Sequence, residues 1–147
     1  MNHSRHHARE IALQILYSFD VQAQQNASPI PTGSELVSYL KSHFEHFVVP
    51  DGVREFASQL VVGTLSKSAE IDVEIEKYSS NWKIGRMALI DRNLIRMAFY
   101  EMSHFKDIPH SVSIDEAIEL SKQFGTADTA SFVNAILDSM RKQKLAG

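Results

Sequence analysis

The sequence predicts an all-α protein, and its punctuation and periodicity carry that reading. Glycine and proline are scarce in the 147 residues, at 6 and 4, which suits helices better than many short strands and turns. Apolar residues recur at spacings of three and four in segment after segment, and no stretch sustains a period-2 alternation. The elements follow in order. Ser4 reads as the N-cap of a first helix whose apolar face is Ala8, Ile11, Ala12, Ile15, Leu16 and Phe19. Pro29 and Pro31 force a loop after Asn26. Ser34 caps a second helix with Leu36, Val37, Leu40 and Phe44 on one face, broken at Pro50-Asp51-Gly52.

One longer helix is predicted from there to about Tyr78, through Phe56, Leu60, Leu65, Ala69, Ile71 and Ile75. Its Glu70, Asp72, Glu74 and Glu76 read as a solvated acidic face. Asn81-Trp82-Lys83-Ile84-Gly85 is a connector. A central helix, apolar on more than one side, follows with Leu89, Ile90, Leu94, Ile95, Met97, Ala98, Phe99, Met102 and Phe105. Pro109 stops it. Ser113 and Glu116 have the spacing of a capping box opening a helix through Ala117, Ile118, Leu120 and Phe124, which Gly125 ends. Asp128 or Thr129 caps a last helix with Phe132, Val133, Ile136, Leu137 and Met140, and Arg141, Lys142 and Lys144 complement its dipole. The expectation is a single domain over 1–147 with six or seven helices, in halves of about 1–80 and 81–147.

Composition narrows the function. With no cysteine, disulfides, zinc–thiolate sites and thiol catalysis are excluded. Lys+Arg is 15 against 18 for Asp+Glu, a net charge of −3. That argues against a protein that coats nucleic acid by bulk charge, and is silent about a local patch. No apolar run has the length of a membrane span, and residues 1–9 are polar with no signal-peptide core, so a cytoplasmic protein is expected.

No nucleophile elbow, P-loop, dinucleotide glycine motif or His-Glu-x-x-His is present. The expectation is a protein that is not an enzyme and takes no cofactor. His3 with His7, and His43 with His46, have spacings that could share a metal, but titrating surface histidines fit equally and no metal site is assigned. The N-terminal cluster says more. Arg5 and Arg9 lie one helical turn apart, and His6, Glu10, Gln14 and Tyr17 share a face. Cations for phosphates, an amide for base edges and an aromatic for stacking suit RNA; the same residues also fit the solvated start of an ordinary helix. The cations oppose the helix dipole at that end, which favours another purpose for them. Lys83, Arg86, Arg92, Arg96 and Lys106 read as the wet side of the central helix.

The stretch Arg5-His6-His7-Ala8-Arg9-Glu10-Ile11-Ala12-Leu13-Gln14-Ile15-Leu16-Tyr17 resembles the opening of the NusB family of transcription antitermination factors. Asp91-Arg92-Asn93-Leu94-Ile95-Arg96-Met97-Ala98-Phe99-Tyr100-Glu101-Met102 is similar to its central helix. Ile108-Pro109, the run from Ile114 to Gly125, and Phe132-Val133-Asn134-Ala135-Ile136-Leu137-Asp138 continue the match in order, while residues 26–50 match poorly.

That resemblance implies two packed helical bundles and no catalysis. It implies binding to boxA RNA of nascent transcripts, notably of ribosomal RNA operons, with the ribosomal protein NusE, inside the elongation complex with other Nus factors. It places RNA contacts at Arg5, His6, His7, Arg9, Gln14 and Tyr17, and further RNA surface at Tyr78, Asp128 and Phe132. Asp91 matches an acidic position at the NusE surface. Free protein as monomer or homodimer is compatible with the resemblance. Where family members often carry an arginine run, this chain has His6-His7, so RNA binding is expected to be weaker alone and tighter as the histidines charge. Two other readings compete: the RNA-binding N-terminal part of an rRNA cytosine methyltransferase, for which the 147 residues include no catalytic half and no nucleophilic cysteine, and a helical metal protein.

Overall fold

The computed structural model describes residues 2–26, 29–46, 49–79 and 83–145. Among the described residues it contains helices and no strands: α1 Asn2–Asn26, α2 Gly33–Glu45, α3 Asp51–Ser66, α4 Ser68–Tyr78, α5 Leu89–His104, α6 His110–Phe124 and α7 Ala127–Gln143, with a 3₁₀ turn at Ile84–Arg86. The chain divides into two compact units, Met1–Ser66 and Lys67–Gly147. The division therefore lies ahead of the 81–85 connector, because α4 packs on α5 and α7.

In the first unit α1 lies along α3, and α2 packs on α3. The anticipated face of α1 is buried at Ala8, Ala12, Ile15, Leu16 and Phe19, while Ile11 stays half-buried and Leu13 joins the buried set. The Phe19 and Tyr39 ring centroids lie 4.9 Å apart, joining α1 to α2. Ser4 is not a cap: α1 already runs from Asn2. Ser34 is not one either, because α2 opens a residue earlier at Gly33. Gly33 has φ +55°, a left-handed entry that glycine adopts without a Cβ clash.

The single helix expected from 52 to 78 is two. Lys67, with φ −105° and ψ 9°, leaves the helix for one residue between α3 and α4. Periodicity missed the break because apolar positions stay in helical register on both sides of it, at Leu60, Thr64, Ile71 and Ile75, all buried.

In the second unit α5 is central, packed against α4, α6 and α7. It buries Leu94, Ile95, Met97, Ala98, Phe99 and Met102, and with them Arg92, Asn93 and Glu101. Arg92 is thus not on a wet side. Its guanidinium donates to the Ile84 carbonyl at 3.2 Å, and the Ile84 N–H donates to the Glu76 carboxylate at 2.7 Å. Arg96 donates from Nε and Nη2 to the two Asp72 carboxylate oxygens at 2.7 and 2.8 Å. Glu74 meets Lys77 at 2.8 Å and Lys144 at 3.6 Å, and the Lys77 hydrogen bond, chiefly, holds its carboxyl below the usual range. The acidic face of α4 is therefore largely committed to internal partners, which composition alone does not reveal.

The capping box at Ser113 is also absent. The helix α6 begins at His110 after Pro109, and Ser113, inside it, donates its hydroxyl to Glu101 at 2.6 Å. That bond ties α6 to α5 within the core. The N-cap of α7 is Thr126, not Asp128 or Thr129. The Thr129 N–H donates to Thr126 Oγ1 at 3.4 Å, and the Thr126 N–H donates to Thr129 Oγ1 at 3.1 Å. Gly125 does follow α6, with an extended φ of −116° rather than a left-handed one. Its need for glycine is space: a Cβ there would come within 2.7 Å of Thr129 Oγ1. Phe124 is half-buried rather than core. No helix among the described residues is long and apolar enough to cross a membrane.

Candidate nucleic-acid interface

The first half of α1 supplies six of the expected RNA-facing positions, and it treats them unequally. Arg5 lies 5.2 Å and Arg9 5.4 Å from the centroid of the same ring, Phe56 of α3. The i, i+4 spacing puts both guanidiniums over one aromatic face, where the ring quadrupole offsets their unfavourable place at a helix N-terminus. Arg5 is half-buried, and Arg9 is only 3% exposed. His6 is half-buried and His7 exposed, with His7 Nδ1 3.5 Å from the Glu10 carboxylate. Gln14 is exposed, and Tyr17 shows 37% of its surface although it sits one residue from the buried Leu16. So α1 offers solvent a strip of imidazole, amide and phenol, with an arginine pair anchored beside it. Phe56 was legible only as a core residue, since nothing in the spacing of α3 announces its two cations.

In the second unit a pocket of about 480 Å³ opens between α4, α5 and the end of α7, around Val73, Phe99, Tyr100 and His104. A second, of about 370 Å³, gathers Asp91, Asp128 and Phe132 with Arg86, Thr126 and Thr129. Asp91 stands in the first turn of α5, Asp128 in the first turn of α7, and Phe132 one turn further along α7. Burial pushes the Asp91 carboxyl above its ordinary range, and a hydrogen bond from Thr129 works the other way. Thr129 holds three positions at once: it closes the α7 capping box, fills the space Gly125 leaves open, and supports Asp91. Asp128 is exposed and Phe132 half-buried, its ring on the pocket wall. Tyr78 is the half-buried last residue of α4 and does not line this pocket. Sequence reasoning named Asp91, Asp128 and Phe132 but not that they share a cavity. The Thr126-x-x-Thr129 pair was the available signal, disguised because its N3 residue is not Glu or Gln.

The histidine pairs divide. The side chain of His3 lies outside the described residues. His43 stacks on Tyr39 at 6.0 Å and meets Phe44 edge-on at 5.4 Å, and His46 donates from Nδ1 to the Ser42 carbonyl at 2.7 Å. Among the described residues no three His, Cys, Asp or Glu side chains converge as metal ligands would.

The NusB family model matches residues 6–142. The chain is 44% identical over 140 residues to a transcription antitermination protein NusB of Desulforapulum autotrophicum, covering 95% of this chain and 92% of that one. It is 40% identical over 137 residues to the protein of the same name from Desulfitobacterium hafniense, covering 93% and 87%. A solved NusB from T. maritima superposes with a TM-score of 0.78 at 29% identity, covering 95% of this chain and 91% of that one. The fold is also shared with a crystal structure of the antitermination factors NusB and NusE in complex with dsRNA, at a TM-score of 0.77, 23% identity and coverage of 97% and 98%. A match from residue 6 to residue 142, and relatives this similar along nearly their whole length, leave one conclusion: the chain belongs to the NusB family.

Proposed function

We propose that this protein is a transcription antitermination factor that binds boxA-type RNA of nascent transcripts, notably of ribosomal RNA operons, as a heterodimer with the ribosomal protein NusE. It acts in the cytoplasm, within the elongation complex and beside other Nus factors, by binding and not by catalysis. The solvent-facing strip of α1 carries the reading: His6, His7, Gln14 and Tyr17 beside the Phe56-anchored Arg5. In this scheme Arg5 and the histidines meet phosphates, Gln14 reads base edges and Tyr17 stacks on an unpaired base. Arg9, almost fully buried, acts through Phe56 by fixing the platform on which Arg5 rests. Tyr78, Asp128 and Phe132 add RNA surface in the second unit. Support comes from the relatives' shared name and from the fold's occurrence in a complex with NusE and RNA.

The net charge of −3 fits an adaptor whose affinity depends on its partner. A titration of boxA-type RNA with and without NusE tests it. NusE should tighten RNA binding by more than about tenfold, a coupling of about 1.4 kcal/mol or greater. An affinity indifferent to NusE would remove the adaptor mechanism.

A further inference from the structure

The pocket between the start of α5 and the start of α7 has a composition that phosphate binding does not explain. Two of its polar groups are carboxylates, Asp91 and Asp128, against one cation, Arg86. Carboxylates repel a phosphate backbone. They are acceptors without a proton to give, so they select a ligand edge made of donors. The Phe132 ring on the wall offers a face for stacking, and about 370 Å³ is room for a heterocycle.

We propose that this pocket takes one unpaired guanine, with Phe132 against its face and the Asp91 carboxylate receiving its N1–H and N2–H. The choice among bases follows from their Watson–Crick edges. Guanine alone sets two donors side by side, matching the two oxygens of a carboxylate. Adenine and cytosine each place an acceptor nitrogen beside their amino group, and uracil flanks its one N–H with carbonyls; each would confront Asp91 with a lone pair.

The structure also shows how Asp91 is aimed. Thr129 Oγ1 accepts the Thr126 N–H at 3.1 Å, so its hydroxyl proton is available to the Asp91 carboxylate. Gly125 leaves the space that Thr129 occupies. A carboxylate fixed in a half-buried place by a capped helix start discriminates better than a free one, because a mismatched base leaves it desolvated and unsatisfied. This assigns Asp91 to RNA, where the family resemblance had placed it toward NusE, and it rests on the RNA-binding reading above.

The test uses the full chain with NusE and a set of short oligouridines carrying one central guanine, inosine, adenine or cytosine. Inosine keeps N1–H and lacks the N2 amino group. Wild type should bind the guanine probe roughly tenfold more tightly than the others, with inosine between. Asp91→Asn presents one acceptor and one donor, so its preference should move away from guanine toward cytosine or adenine. Three results overturn the proposal while leaving the RNA reading intact: guanine and inosine bound equally by wild type, an unchanged base order in Asp91→Asn, or oligouridines ignored while boxA-type RNA binds. A loss of NusE binding by Asp91→Asn without RNA, its base order unchanged, returns Asp91 to the protein partner and overturns the proposal. Failure of boxA-type RNA itself to bind takes down both.

Discussion

Arg9 is buried against the Phe56 ring, its guanidinium carbon 5.4 Å from the centroid, so the least accessible of the N-terminal cations is the one that organises the rest. Replacing Phe56 by Leu keeps an apolar side chain of similar bulk and removes the π-face. The expected loss is about 1–2 kcal/mol of stability by chemical denaturation. RNA affinity should fall as well, because Arg5 loses its support. Unchanged RNA affinity in a folded Phe56→Leu protein would show that Arg5 needs no platform.

Tyr17 separates function from fold. It is one of the few large apolar side chains of α1 left in solvent, at 37% exposure. Tyr17→Ala should weaken RNA binding by about 1–3 kcal/mol, the range for one stacked base. Its thermal midpoint should barely move, as for most surface substitutions. A large drop in the midpoint with RNA affinity intact would make Tyr17 a packing residue.

His6 and His7 stand where a fixed positive charge would serve phosphate binding at any pH. Imidazoles gain charge as pH falls from about 8 to about 6, so RNA binding should tighten over that range and steepen in its salt dependence. The double variant His6→Ala/His7→Ala should flatten the profile. A pH-independent wild-type affinity rejects the idea.

His43 predicts a pH effect of opposite sense on the fold. Burial, and then the charge of His46, lower its pKa. The unfolded chain thus takes up the proton more readily than the folded one. Any stability from this group is complete above the ordinary histidine range and is lost as pH falls through that range toward the lowered folded value. Denaturation curves at neutral and mildly acidic pH should show less acid weakening in His43→Gln than in wild type.

Gly125 and Thr126 set the start of α7 by different means. Gly125→Ala would drive a Cβ into the branched Thr129 side chain, with 2.8 Å to both its Cβ and Cγ2. Thr129 cannot swing away without opening the capping box, so the change should cost about 1–3 kcal/mol. Thr126→Ala removes the cap alone and should cost about 0.5–2 kcal/mol. The two together should be less than additive, since both act through Thr129; full additivity in denaturation experiments would argue against that shared route.

The helices were legible because burial imposes a period, and Leu94, Ile95, Ala98 and Met102 of α5 show it plainly. What periodicity could not see were polar side chains turned inward. Ser113 had the spacing of a cap and became a core donor because Glu101 lies within its reach. Asp72 and Arg96 are 24 positions apart, and only the packing of α4 on α5 makes them a pair. At the candidate site the exposed strip of α1 follows from one helix's own spacing, so sequence could find it. The pocket of Asp91, Asp128 and Phe132 joins the starts of two helices, and no local pattern relates them.

The Ile84 peptide is gripped on both sides, its N–H by Glu76 and its carbonyl by Arg92. Two residues further on, Arg86 begins the wall of the guanine-sized pocket, continued by Met87 and Ala88. A connector between helices would ordinarily have to surrender conformational entropy when a ligand arrives. Here that loss is already taken on folding, through charged groups in α4 and α5, so a ligand meets a wall that does not need to be ordered. Weakening either grip should therefore register in how fast bound RNA leaves, even though neither Glu76 nor Arg92 lines the pocket.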